Sequence, residues 1–164
     1  LTELREAVAT YVVRAAEKLR KQHQRAASLS VYTRTSPFVP GFYSRSASTH
    51  LDLPSNDTQT LLNAALPLVE RIFQPHRQLA KAGVLMEHLQ DTQQLQHHLL
   101  VPCSEVQLQR RDTLMSTIDG LNRRYGRGTV QWAACGLHAG WSMRRQRLGR
   151  AATTRLSDVP VVQA

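Results

Sequence analysis

Residues 25–38 read RAASLSVYTRTSPF, and this stretch decides the fold. In an extended chain Leu29 and Val31 fall on one side, and Ser28, Ser30, Tyr32 and Arg34 fall on the other. Such period-2 alternation is what a strand needs when one face is packed and the other is wet. The wet side carries hydroxyls and a guanidinium rather than carboxylates. Ser36-Pro37 closes the run, because proline has no N–H to give to a ladder.

Working outward, the preceding segment predicts a helix from Thr2 to about Gln22, with Thr2 as its cap. Leu4, Val8, Tyr11, Val12, Ala15, Ala16 and Leu19 recur at helical spacing and form one apolar stripe. Glu3 and Glu6 stand near the positive end of the helix dipole, and Lys18, Arg20 and Lys21 near the negative end. After the first strand, 37–48 reads as a loop with Pro40, Gly41 and several serines. Thr49–Leu53 (THLDL) is a short alternating strand, stopped by Pro54. Asn56 or Asp57 caps a second helix running to about Phe73, with Leu61, Leu62, Ala65, Leu68, Val69 and Ile72 as its stripe. Pro67 lies inside that pattern and should kink or weaken it. Gln78–Leu89 reads as another strand, where Gly83 marks a bulge or a close backbone approach.

The remainder has a different character. Gln90–Pro102 is polar, glutamine-rich and linker-like. Ser104-Glu105 opens a third helix to about Tyr125, ended by Gly126 and Gly128. Thr129–Ala134 is a short strand candidate. From Gly136 onward there is little period, only Trp141, Met143 and an arginine-rich run. The expected order is αββαβ, linker, α, short β, basic tail. The fold class is α+β, with two helices on one face of a small sheet whose other face is basic and hydroxyl-rich. The division is 1–90, a linker at 91–103, and 104–164.

Composition narrows the function classes. The 164 residues carry a formal net charge of +9 and a pI near 10.5, which favours an anionic partner, nucleic acid before a membrane surface. Residues 1–90 hold eleven Lys/Arg against seven Asp/Glu, and residues 91–164 hold ten against five, all ten arginine. Cys103 and Cys135 form no CxxC pair. A disulfide between them is possible, and a reducing cytoplasmic setting fits as well. No apolar run approaches a membrane span, and the N-terminus is not a signal peptide. The chain opens on Leu1 inside a helix pattern, as a fragment of a longer protein would. The acids are scattered, with no carboxylate cluster for two-metal phosphoryl transfer. His97, His98 and Cys103 lack a fourth zinc ligand, and no nucleophile-elbow signature is present.

Several runs come in one order: RAAEKLR (14–20), TSPF (35–38), DTQTLLNAA (57–65), KAGV (81–84), DGLN (119–122), GRGTV (126–130) and WSMRRQRLGRAATTRLSDVP (141–160). Each alone is weak. The ordered set closely resembles the C-terminal part of UmuC-type Y-family DNA polymerases, the catalytic subunit of DNA polymerase V and its plasmid relatives, over nearly the whole chain. That resemblance implies a little-finger domain over 1–90, four strands with two helices on one face, its first strand lying upstream of Leu1. It implies a family C-terminal extension from about 104 onward. The palm, with its Mg²⁺, would lie outside this chain, so the piece itself needs no cofactor and should not polymerise alone.

The resemblance also implies sites. Arg34, Thr35, Ser36 and Lys81 lie where the family holds duplex backbone, and Arg25, Arg45 and Arg77 extend the set. The plain alternative is a solvated strand edge, since edge cations also block aggregation. Gln94, Leu95, Leu99 and Leu100 sit where the family places a sliding-clamp peptide. Here His97 intervenes and no Phe follows, so a plain linker competes with that reading. Trp141, Met143, Arg144, Arg145 and Arg155 form a tail motif expected to dock a protein partner. Two functions from different classes follow. One is the DNA-binding part of an error-prone translesion polymerase in SOS mutagenesis, holding primer-template DNA. The other is an interaction module for a sliding clamp, a UmuD-type accessory subunit or a recombinase filament.

Overall fold

The computed structural model describes residues 1–38, 40–92, 105–137, 140–142, 149–151 and 153–160. Helix α1 spans Thr2–Lys21, strand β1 Gln24–Arg34, β2 Ser44–Ser55, helix α2 Thr58–Ile72, β3 Lys81–Asp91 and helix α3 Glu105–Tyr125. Short 3₁₀ turns follow at Ala133–Cys135 and Leu156–Asp158. The described residues form one antiparallel sheet in the order β2-β1-β3. This is the α+β class read from the sequence, with the three strands expected within this chain.

The stretch at 25–38 occupies the middle of the sheet. Leu29 and Val31 are fully buried. Register sets Leu29 between Thr49 and Met86, and Val31 between Ala47 and Val84. Above this row lie Val8, Val12, Ala16 and Leu19 of α1 and Leu61, Leu62, Ala65, Leu68, Val69 and Ile72 of α2, in a single cluster. Both helices therefore cover the same face of the sheet. The stripes at period 3.6 meet the strand row at period 2, and that match makes the core.

Local chemistry fixes the ends. Asp57 caps α2, its Oδ2 accepting from the Thr60 N–H at 2.8 Å and the Thr60 hydroxyl at 2.7 Å. Helix α1 begins one residue earlier than a Thr2 cap requires. Leu1 is its N-cap without a side-chain bond, and the Leu1 carbonyl accepts from Arg5 N–H. The chain leaves α1 through His23 at φ 53°, the left-handed step that commonly ends a helix. Pro67 lies on the exposed side of α2, which runs through it unbroken to Ile72. Proline has no N–H to give to the carbonyl one turn back, so the helix runs on with one fewer backbone bond.

Three expectations need correction. The loop expected over 37–48 ends early, because β2 starts at Ser44. Its first residues are polar and carry no alternation, but their backbone pairs with β1 from Arg34↔Ser44 to Ser28↔His50. The third strand is shifted to Lys81–Asp91. The strand expected at 129–134 does not form. The Val130 N–H and C=O are both taken by the Asn122 side chain, at 2.9 and 3.1 Å, in place of a ladder partner.

Candidate nucleic-acid interface

The face of the sheet away from the helices is open. Along β1 it presents Ser28, Ser30, Tyr32 and Arg34. Register adds His50, Ser48, Ser46 and Ser44 from β2 and Glu87, Leu85, Gly83 and Lys81 from β3. Arg34 and Lys81 are direct partners in the ladder, so two cations from neighbouring strands stand side by side. The ion pairs among the described residues, Arg5–Glu70, Arg20–Asp119 and Arg25–Asp112, use neither of them. Ser28 and Ser30 are buried, but uncompensated cations beside the exposed hydroxyls of Ser44, Ser46 and Ser48 can meet phosphate oxygens, which accept from both.

Tyr32 shapes the same face. Its ring lies across the neighbouring strand over Gly83. A Cβ on that glycine would stand 2.4 Å from the Tyr32 hydroxyl oxygen. The glycine is there for close approach and forms no bulge, and the phenol lies low across the sheet beside the Arg34/Lys81 pair.

The other expected DNA contacts separate into distinct places. Thr35 holds the β1–β2 connection closed. Its N–H donates to the Tyr43 carbonyl at 2.9 Å, and its hydroxyl accepts from the Tyr43 N–H at 2.9 Å. The Ser36 hydroxyl accepts from the Phe38 N–H at 3.3 Å. Both therefore shape the loop beside Arg34, a loop that carries the exposed Phe38 and Phe42. Arg77 comes to this end from the α2–β3 connection, its guanidinium 5.0 Å over the Tyr43 ring and donating to the Gly41 carbonyl at 3.3 Å. Arg45 is exposed but pairs in register with the buried Thr33. It thus springs from the helix side of the edge strand rather than the open face. Arg25 lies at the far end of β1, nine residues from Arg34, roughly 30 Å in an extended strand. There its side chain is only 13% exposed and stands 3.8 Å from Asp112 of α3.

The clamp-peptide residues Gln94, Leu95, Leu99 and Leu100 lie outside the described residues, as do His97, His98 and Cys103. Of the tail residues, Trp141 packs edge-on against Tyr11 of α1, ring centroids 5.6 Å apart at 73°. Arg155 is exposed, and its backbone N–H donates to the Ala151 carbonyl at 2.8 Å. Met143, Arg144 and Arg145 lie outside the described residues. Among the described residues no group of three or more His, Cys, Asp or Glu side chains is placed to hold a metal ion, and no helix is long and apolar enough to cross a membrane.

Sequence reading missed how α3 is held. Arg20 forms a two-pronged pair with Asp119, Nε to Oδ2 at 2.7 Å and Nη2 to Oδ1 at 2.8 Å. Its remaining nitrogen, Nη1, donates to the Asn56 carbonyl at 2.7 Å and the Thr58 hydroxyl at 3.0 Å. One guanidinium thus ties the end of α1 to the start of α2 and to α3. Further along, Trp132, Ala134 and Cys135 pack against the main core. Burial pushes the Cys135 thiol above its ordinary value of 9.0, against a smaller opposing pull from a Thr10 hydrogen bond and the Arg14 charge. The signal for the Arg20 contact was in plain sight, since RAAEKLR and DGLN contribute one partner each. Spacing along the chain does not reveal that the two meet.

Comparison with known proteins bears on both halves. The model of the impB/mucB/samB family C-terminal domain matches residues 1–99. A domain of unknown function, DUF4113, matches residues 112–162. The chain is 34% identical over 159 residues to protein UmuC of Salmonella typhimurium strain LT2, covering 96% of this chain and 37% of that protein. It is 35% identical over 163 residues to protein SamB of Salmonella typhimurium, covering 98% and 38%. Protein MucB of Escherichia coli is 34% identical over 163 residues, covering 98% and 38%. The chain thus spans less than two fifths of the length of these curated relatives.

Proposed function

The chain belongs to the impB/mucB/samB family, as the C-terminal part of a UmuC-type Y-family protein, and from that premise we propose that its open sheet face holds primer-template DNA for an error-prone translesion polymerase acting in SOS mutagenesis. The observation that carries this reading is the Arg34–Lys81 pair, side by side on the face the helices leave bare and outside the ion pairs of the described residues. In this reading residues 1–90 are a little finger gripping duplex backbone, and base reading and chemistry, with Mg²⁺ held by palm carboxylates, belong to the rest of a longer cytoplasmic protein. The formal charge of +9 supports an anionic partner.

The test is a salt titration of the 164-residue chain on fluorescent primer-template duplexes of several sequences. Replacing Arg34 and Lys81 together by Ala should weaken binding to all sequences about equally. The slope of log affinity against log salt should fall by roughly two, one for each lost phosphate contact. A change in sequence preference at an unchanged slope would assign the pair to bases instead.

A second reading has its own support. Trp132, Ala134 and Cys135 pack against the helix-side core rather than the open face, and Trp141 is seated on Tyr11 of α1. Trp141, which precedes the arginine-rich run in the sequence, thus sits on a helix of the covered face and not on the open face. Docking of an acidic surface on an accessory subunit, a recombinase filament or a sliding clamp is the role proposed for that run. Deleting residues 141–164 should then leave DNA affinity nearly intact while abolishing translesion synthesis by the complete protein.

A further inference from the structure

The open face carries a second cluster at the end away from Arg34. Ser28 stands between His50 on β2 and Glu87 on β3. Because serine is small, rings from the two flanking strands can lean over it. The imidazoles of His50 and His88 lie 6.0 Å apart, centroid to centroid, tilted by 38°. Neighbours along a strand normally point to opposite faces. His88 and Glu87 do not. His88 has φ 51°, an uncommon conformation for a residue with a side chain, and its ring joins Glu87 on the open side. The Ser28 hydroxyl lies 2.8 Å from His88 Nδ1, and the Ser30 hydroxyl donates to Glu87 Oε2 at 2.7 Å.

We propose that His50 and His88, braced by Ser28, form a second phosphate-binding point on the open face, engaged when the two imidazoles carry protons. The inference rests on the reading of this face as a DNA surface. With Nδ1 of His88 engaged by Ser28, Nε2 is the nitrogen left for an outside partner. A serine hydroxyl donating to Nδ1 leaves the neutral ring's proton on Nε2. In the charged ring Nδ1–H donates back to the serine oxygen. In both of these arrangements Nε2–H is the outward donor; in the neutral Nδ1–H tautomer Nε2 is an acceptor and becomes a donor on protonation. Six residues of β1 separate Ser28 from Arg34, about 20 Å of extended chain. That exceeds the width of a major groove, about 12 Å, so the two points would grip phosphates on either side of one groove.

The charges around the pair set the direction of the pH effect. β3 contributes Glu87. β2 contributes Asp52, two residues beyond His50. β1 contributes the hydroxyls of Ser28 and Ser30 and, three residues from Ser28, Arg25, whose guanidinium stands 3.8 Å from Asp112 of α3. With neutral imidazoles this end is acidic and repels phosphate. Imidazoles as a class take up protons between about pH 8 and 5, which offsets the Glu87 and Asp52 charges and makes the imidazole donors charge-assisted. Bound phosphate favours the protonated form, so affinity gained at low pH is lost as pH rises through that range.

The experiment compares the 164-residue chain with a His50→Gln/His88→Asn variant and an Arg34→Ala/Lys81→Ala variant, binding a fluorescein-labelled primer-template at pH 8.0 and 5.5. Asn is chosen at 88 because it tolerates positive φ. The wild type should bind about ten-fold tighter at pH 5.5, with a salt slope steeper by roughly one to two. The histidine variant should lose the gain between pH 8.0 and pH 5.5. The Arg34/Lys81 variant should be weaker throughout and keep it. In the wild type, the imidazole proton resonances of His50 and His88 should shift on adding duplex at pH 5.5, a readout independent of any variant. A pH gain that survives in the histidine variant, or resonances that do not move, would overturn the inference while leaving the DNA surface standing. Absence of salt-dependent binding at both pH values would instead sink the DNA reading itself.

Discussion

Residues 1–92 and the segment from 105 on are stabilised in different ways. The first region owns a core. Fourteen buried residues from α1, α2 and the sheet form one cluster, and the sheet hydrogen bonds bind its strands together. Among its described residues the second region has one fully buried large apolar side chain, Met115, and α3 exposes Val106, Leu114, Leu121 and Tyr125. It is held by attachment: Asp119 on Arg20, Asp112 near Arg25, Trp132 and Cys135 on the core, and Trp141 on Tyr11. A segment that buries little cannot offset the entropy of ordering its own chain. It becomes ordered by borrowing a surface, and the borrowed surface here is α1 and the ends of α2 and β1.

The comparison breaks most visibly in the core. Leu61→Ala removes a fully buried side chain of α2 and should cost about 2–5 kcal/mol. Amide exchange should then quicken in both regions together, because the second region docks on what the core holds in place. Faster exchange in α2 alone would show that the regions are less dependent than the attachment picture requires. A smaller effect is expected from Asp119→Ala. It takes the carboxylate from Arg20 and should cost about 1–3 kcal/mol, with exchange rising across 105–125 and the strands unchanged. Equal loss of protection in β1 and α3 would mean that the Arg20 contact is part of the core rather than a latch onto it.

The smallest effect concerns Cys135. Burial raises its pKa above 9.0, so the native thiol resists ionising where the unfolded thiol gives up its proton. Its contribution to stability is whole below pH 9 and declines as pH rises through the native value. Thiol labelling at pH 8 should therefore be slower in the folded chain than after denaturation. Cys135→Ala should flatten the alkaline limb of a stability–pH curve measured from pH 8 to 10. Labelling at the unfolded rate would show that Cys135 does not stay packed against the core.

Much of the first region was legible in the sequence because its signals are periodic and local. The spacing of Val8, Val12, Ala16 and Leu19 gives α1 and its buried stripe. Leu61 to Ile72 gives α2, Asp57 its cap, and Leu29 with Val31 the buried side of β1. The order of the motifs gives the family. Elements without a period of their own were not legible. Ser44–Ser48 is a strand only because β1 lies beside it, and Thr129–Ala134 fails to become one because Asn122 takes the Val130 backbone groups first.

The grouping of charges was decided by tertiary structure alone. Arg25 and Arg34 belong to one strand, yet one pairs with α3 and the other stands on the open face beside Lys81. Arg45 goes to the helix side, and a single positive φ brings His88 to the same side as Glu87. Period records which way a side chain faces within its own element. Which element lies opposite depends on register and on contacts such as Arg20–Asp119, whose partners are 99 positions apart; no local pattern encodes such a distance, and packing of the whole chain sets it.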